Sequence, residues 1–83
     1  MYAIVDIETT GGHAAANGIT EIAIYIFDGI KITKHFESLI NPLQSIPPYI
    51  TSLTGISNAM VMQAPTFAEV APTIIVYYNT KFL

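Results

Sequence analysis

The chain has 83 residues, enough for one domain at most. It contains no Cys, which excludes a disulfide framework and a thiolate zinc site. Its net charge is −3, with three Lys and no Arg, so no basic face is available to grip nucleic acid. Hydrophobic residues make up 52% and charged residues 11%, leaving few polar groups to cover a small free-standing surface. That composition suits the inside of something larger. No run approaches the roughly 18 apolar residues of a membrane span, and no basic, then apolar, leader opens the chain. A cytoplasmic location is the expectation.

Tyr2 to Ile7 is apolar and β-branched up to Asp6. It predicts a strand over about 2–8, buried on both faces and central in its sheet. Thr9 to Gly18 is a loop with Asn17-Gly18 as a turn signal. The next stretch alternates over about 19–28: Ile22, Ile24 and Ile26 share one face, Glu21, Ala23, Tyr25 and Phe27 the other. Asp28-Gly29 is the preferred pair for a tight type I′ turn. Alternation resumes over about 31–40, with Ile32, Phe36 and Ile40 on one side and Lys31, Thr33, His35 and Glu37 on the other. An antiparallel hairpin with one wet face follows.

Asn41 to Pro48 reads as a loop. Helical segments are predicted over about 49–54, 58–63 and 66–76. Thr54-Gly55 breaks the first, and Ser57 or Asn58 caps the second. Thr66 and Glu69 match a capping box for the third. Phe67, Val70, Ala71 and Ile74 then fall at helical spacing, with Pro72 inside the pattern to weaken or kink it. Beyond Pro72 the stretch I-I-V-Y-Y is β-like in composition. The fold class expected is α/β, with a three-stranded meander followed by short helices.

Asp6 and Glu8 are two apart on the first strand, so they share a face. Two neighbouring carboxylates repel, and a divalent cation relieves the repulsion. Mg²⁺ and Mn²⁺ take hard oxygen ligands of this kind. A bare D-x-E is more often a solvated strand end. The longer order decides: an apolar strand, D-I-E-T-T-G, a Gly-containing loop, then I-T-E-I-A-I.

Here the chain resembles the DnaQ-like, DEDD-type 3′–5′ exonucleases, the group that contains the proofreading subunit of bacterial DNA polymerase III. Asp6-Ile7-Glu8-Thr9-Thr10-Gly11 is similar to their first motif, and Glu21-Ile22-Ala23 to the second strand. Leu39-Ile40-Asn41-Pro42 resembles the end of the third strand. Thr54-Gly55-Ile56 and Ala64-Pro65-Thr66-Phe67 resemble the helical segment that follows. The resemblance runs to about Pro72. It implies the N-terminal part of a ribonuclease H-like exonuclease domain, truncated within 1–83.

The resemblance also implies roles. Asp6 and Glu8 would be catalytic ligands of two Mg²⁺ or Mn²⁺ ions. Thr9, Thr10 and Gly11 would lie beside the 3′-terminal nucleotide, and Thr54, Gly55 and Ile56 would line the pocket for its base and sugar. The substrate implied is the 3′ end of single-stranded DNA, or of RNA, and DNA polymerase subunits are the implied partners. In the complete domain a metal-activated water attacks the terminal phosphodiester and releases a nucleoside monophosphate.

The family uses four acidic ligands and a general base. The remaining acids, Glu21, Asp28, Glu37 and Glu69, lack the context of its second and third motifs, and no Asp follows Asn79. His13 reads as a surface-loop residue and His35 as solvent-facing. Two carboxylates cannot hold two Mg²⁺ tightly. The chain alone is therefore expected to be poorly stable and inactive. The alternative is a vestigial, non-catalytic module that binds a partner through an uncovered edge. A sugar-kinase or actin-like phosphate loop would need Gly where Glu8 stands.

Overall fold

The computed structural model describes residues 1–11 and 18–80 and, of 78–80, the backbone alone. Three strands, β1 (Tyr2–Thr9), β2 (Ile19–Phe27) and β3 (Ile32–Leu39), precede three helices, α1 (Pro48–Thr54), α2 (Asn58–Val61) and α3 (Phe67–Thr80). The strands form one antiparallel sheet in the order β1-β2-β3.

β2 is the centre because its alternation has a partner on each side. Ile22, Ile24 and Ile26 are buried on one face, where Ile40 of the β3 exit and Val70 and Ile74 of α3 join them. Full burial of a side chain such as Ile24, 0% exposed, contributes about 1.5–3 kcal/mol. Ala3, Val5 and Ile7 oppose Ile26, Ile24 and Ile22, so they share this face. Yet α3 seats on β2, and Val5 and Ile7 stay exposed.

The first strand is thus not central and not buried among the described residues. It is an edge, with Tyr2 and Ile4 exposed on the other face as well. An apolar β-branched run records what a strand needs for cover. It does not record whether the same chain supplies that cover.

The hairpin turn also differs from expectation. Phe27 opposes Ile32, which leaves residues 28–31 as the connection rather than a two-residue type I′ turn. The Asp28 carboxylate accepts the N–H groups of Ile30 (2.8 Å) and Lys31 (2.9 Å), and Gly29 takes φ 101°. A type I′ turn needs positive φ at both central residues, and Asp28 does not adopt it.

α1 stops at Gly55, whose φ of 79° suits a left-handed cap and whose N–H bonds the Thr51 carbonyl at 2.8 Å. Ser57 caps α2 by accepting the Met60 N–H. For α3, Glu69 Oε1 accepts the Thr66 N–H at 2.9 Å, while Thr66 Oγ1 accepts the Glu69 N–H at 3.4 Å. The helix then runs through Pro72 and through I-I-V-Y-Y to Thr80. The β-like composition loses to tertiary spacing: Val70, Ile74 and Tyr77 meet the sheet together. Tyr77 packs 5.6 Å from Phe36, ring to ring, and its hydroxyl donates to the His35 carbonyl. Phe67, at the start of the same stripe, is exposed.

A second cluster joins Ile46, Ile50, Ile56 and Val61, with Leu39 packed against it. Asn58 brackets Ile46: its Oδ1 accepts the Ile46 N–H at 2.8 Å and its Nδ2 donates to the Ile46 carbonyl at 3.4 Å. No helix of the described residues is long and apolar enough to cross a membrane.

Candidate active site

The register of β1 on β2 sets the acidic face. Asp6 opposes Ala23 and Glu8 opposes Glu21. Asp6 and Glu8 therefore share a face with Glu21, opposite to the face covered by α3. Across β2, Glu21 also opposes Leu39. Glu8, Glu21 and Leu39 form one row, at about 4.8 Å per strand. Leu39 is the foot on which the second cluster stands, so Ile56 and its neighbours lie at the end of the row that begins with Glu8.

The pairing slips directly beside Glu8. Thr9 opposes Ile19, so Thr20 is an extra residue in β2. Such bulges raise local twist and re-aim the side chains next to them. The Thr20 carbonyl accepts the Ile40 N–H at 2.8 Å, while its buried hydroxyl has no partner among the described residues.

Beyond Glu8 the motif is fastened from below. Thr10 is buried, and its Oγ1 accepts the Gly18 N–H (3.1 Å) and donates to Gln44 Oε1 (3.2 Å). Backbone closes the same neck, with Thr10 N–H on the Gly18 carbonyl at 3.0 Å. Gly18 is required by space: a Cβ there would lie 2.9 Å from both Pro42 Cβ and the Pro42 carbonyl oxygen. Thr9 Oγ1 donates to the Gly11 carbonyl at 2.9 Å. The hydroxyls of Thr9 and Thr10 are thus spent within the protein; Thr10 is buried, and Thr9 and Gly11 are partly open.

Thr54 caps its own helix end: its Oγ1 donates to the Ile50 carbonyl (3.0 Å) and accepts the Ile56 N–H (3.1 Å). Gly55 is exposed, whereas Ile56 is 4% exposed and packed in the second cluster. His35 is exposed, its ring stacked 5.8 Å from Tyr25. His13 lies outside the described residues. Sequence reasoning left Thr20 and Gln44 without roles and read Glu21 only as an anchor of the second strand. The match of Glu21 to Glu8 could be found only from the register.

Carboxylates are the right kind of donor for a hard divalent ion. Their number falls short. Among the described residues no group of three or more His, Cys, Asp or Glu side chains gathers to hold one. The donor set among the described residues therefore does not fit a complete metal site.

A family model described as exonuclease, the RNase T family, matches residues 3–83. The chain belongs to the exonuclease family. Within that family it is a DnaQ-like 3′–5′ exonuclease sequence, and the family is metal-dependent, generally on divalent cations. It is 41% identical over 80 residues to the 3′–5′ exonuclease DinG of Staphylococcus aureus (strain bovine RF122 / ET3-1), covering 96% of this chain and 9% of that protein. It is 39% identical over 74 residues to DinG of Bacillus subtilis (strain 168), covering 88% of this chain and 8% of the relative.

Among solved structures, exonuclease X in complex with 5′ overhanging duplex DNA aligns with a TM-score of 0.77 and 33% identity, over 89% of this chain and 43% of that one. The nuclease domain of 3′hExo, a DEDDh family member bound to rAMP, aligns with a TM-score of 0.79 and 26% identity, over 98% and 44%. The α/β fold is the ribonuclease H-like one of these exonucleases. The chain spans under a tenth of these two curated exonucleases and under half of the two solved chains.

Proposed function

We propose that the chain presents the first part of a 3′–5′ exonuclease site, in which Asp6 and Glu8 are catalytic ligands for Mg²⁺ or Mn²⁺ at the 3′ end of single-stranded DNA. The observation that carries this is the shared face of Asp6 and Glu8 in β1. A divalent ion held there would relieve the repulsion between the two carboxylates. Gly11 and Gly55 would admit the terminal nucleotide close to backbone, with Thr9, Thr10, Thr54 and Ile56 shaping the walls behind them. RNA is the second substrate class, since one aligned structure holds rAMP. DNA polymerase subunits are candidate partners, and the cytoplasm is the proposed compartment. Turnover needs acidic groups beyond this pair, so the chain alone is proposed to be inactive or nearly so.

Calorimetric titration with Mn²⁺ tests the ligand role. The wild-type chain should release heat that the Asp6→Ala variant does not. Equal, negligible heats from both would remove the ligand assignment.

A second reading has its own observation. The edge strand β1 exposes Tyr2, Ile4, Val5 and Ile7, a surface a partner's strand could cover. Gel filtration with candidate polymerase subunits separates this reading from the first: co-elution unaffected by Asp6→Ala favours a binding module.

A further inference from the structure

β1 has β2 on one side and no strand on the other among the described residues. Every second residue of such an edge strand turns its N–H and C=O outward, away from the ladder. Proteins blunt edges of this kind with Lys, Pro or a covering helix. Tyr2–Glu8 holds no Lys and no Pro, and α3 seats on β2 instead. Tyr2 is 64% exposed, Ile4 50%, Val5 41% and Ile7 46%. The edge is apolar on both faces of the sheet and carries none of the usual guards.

The strand is complementary to itself. A two-fold axis normal to the sheet would lay β1 antiparallel beside β1 of a second copy. Residues opposed in that pairing share a face. Tyr2, Ile4, Asp6 and Glu8 therefore meet only one another, as do Ala3, Val5 and Ile7. Centring the pair on Asp6 sets Asp6 against Asp6, and centring it on Ile7 sets Asp6 against Glu8; both oppose like charges. Centring on Ile4 carries Glu8 past Met1 of the other copy and shortens the ladder. Centring on Val5 uses all of Tyr2–Glu8: Val5 meets Val5, Ala3 meets Ile7, Ile4 meets Asp6 and Tyr2 meets Glu8. No carboxylate then faces another. The nearest like-charge approach is the diagonal between the two Asp6 residues, about 7–8 Å. On the α3 side, Ala3, Val5 and Ile7 of both copies would form one continuous apolar strip.

We propose that β1 pairs antiparallel with β1 of a second copy of this chain, Val5 against Val5, joining the two sheets into one across a two-fold axis. This rests on the reading of β1 as a surface for a partner's strand, and it names that partner; it does not depend on the ligand role of Asp6 and Glu8. The register predicts opposite effects for two charges at one position. Ile4→Lys sets an ammonium beside Asp6 of the other copy, and the axis repeats the attraction. Ile4→Asp sets a carboxylate there, and the axis repeats the repulsion. Both variants lose the same apolar side chain, so an unspecific apolar contact would be weakened by both.

Sedimentation equilibrium of the 83-residue chain should show a dimer that dissociates on dilution, with a Tm that rises with concentration. Ile4→Asp should weaken the dimer about tenfold or more, whereas Ile4→Lys should hold or tighten it. The chain has no Cys, so a single introduced thiol reports the register. With oxidised glutathione as oxidant, Val5→Cys should close a disulfide across the axis, because opposed Cα atoms lie about 4.5–5.5 Å apart. Two thiols give one S–S bond, and the glutathione disulfide is reduced to two thiols. In Ile7→Cys the thiol meets Ala3 and should stay uncrosslinked. A chain that is monomeric at every concentration, equal weakening by Ile4→Lys and Ile4→Asp, or equal crosslinking of the two Cys variants overturns the pairing. A monomeric chain that still co-elutes with polymerase subunits would defeat the self-pairing alone and leave the partner-strand reading standing.

Discussion

Glu8 of β1 and Glu21 of β2 stand directly opposite one another across the sheet. Like charges so placed oppose the pairing that holds them there, by about 0.2–1 kcal/mol. Glu21→Gln should therefore stabilise the chain by about that amount in metal-free buffer. Urea unfolding with and without Mn²⁺ checks it. The gain should shrink when the ion is present, because the cation then offsets the same repulsion. A loss of stability in metal-free buffer would count against the pairing.

Gly18 has no room for a methyl group. In Gly18→Ala the new Cβ would fall 2.9 Å from the Pro42 carbonyl oxygen, which is backbone and cannot rotate away. The neck formed by Thr10 and Gly18 must then shift. A loss of about 1–3 kcal/mol is expected, with faster amide exchange at Thr10 and Gly18 as its local signature. Unchanged exchange at these two amides would show that the neck does not depend on this contact.

Ile24 anchors the main core, at 0% exposure beneath α3. Ile24→Ala should cost about 2–5 kcal/mol, as much as a small single core supplies. The variant should lack a cooperative thermal transition by circular dichroism at conditions where wild type shows one. Retention of a normal transition would place the core elsewhere.

Two carboxylates hold turns and caps at the surface. The N–H groups of Lys31 and then Ile30 keep the Asp28 carboxyl below its ordinary value of 3.8. The Thr66 N–H and then its hydroxyl keep Glu69 below 4.5. Both groups are depressed in the folded state. Their contribution is full above those ordinary values and is lost as pH falls through the lower, folded ones. Tm should drop as the buffer is acidified below about pH 4.5, and Asp28→Asn and Glu69→Gln should each flatten that slope. A wild-type Tm independent of pH in this window would remove both bonds from the account.

The local features of the chain were legible from its residues. Alternation located β2 and β3, and Thr66 with Glu69 located the start of α3, because side-chain period and capping chemistry act over a few residues. The pairing of Asp6 with Glu8 on one face needed only the two-residue period of a strand. The Asp28-Gly29 turn was less transparent: both residues favour a type I′ turn, but the Asp28 carboxylate found two N–H donors that hold a longer connection.

What the sequence by itself determined is the succession of elements, the apolar faces and the acidic motif, all set by nearest neighbours along the chain. Tertiary structure alone decided that β1 has one strand neighbour among the described residues, and that Val5 and Ile7 stay exposed, since cover depends on where α3 lands. It also decided that I-I-V-Y-Y is helical, because Val70, Ile74 and Tyr77 gain more by meeting the sheet together than β-branched residues lose in a helix. The opposition of Glu8 to Glu21 likewise arises from a contact between stretches distant in sequence. No pattern within either stretch specifies it.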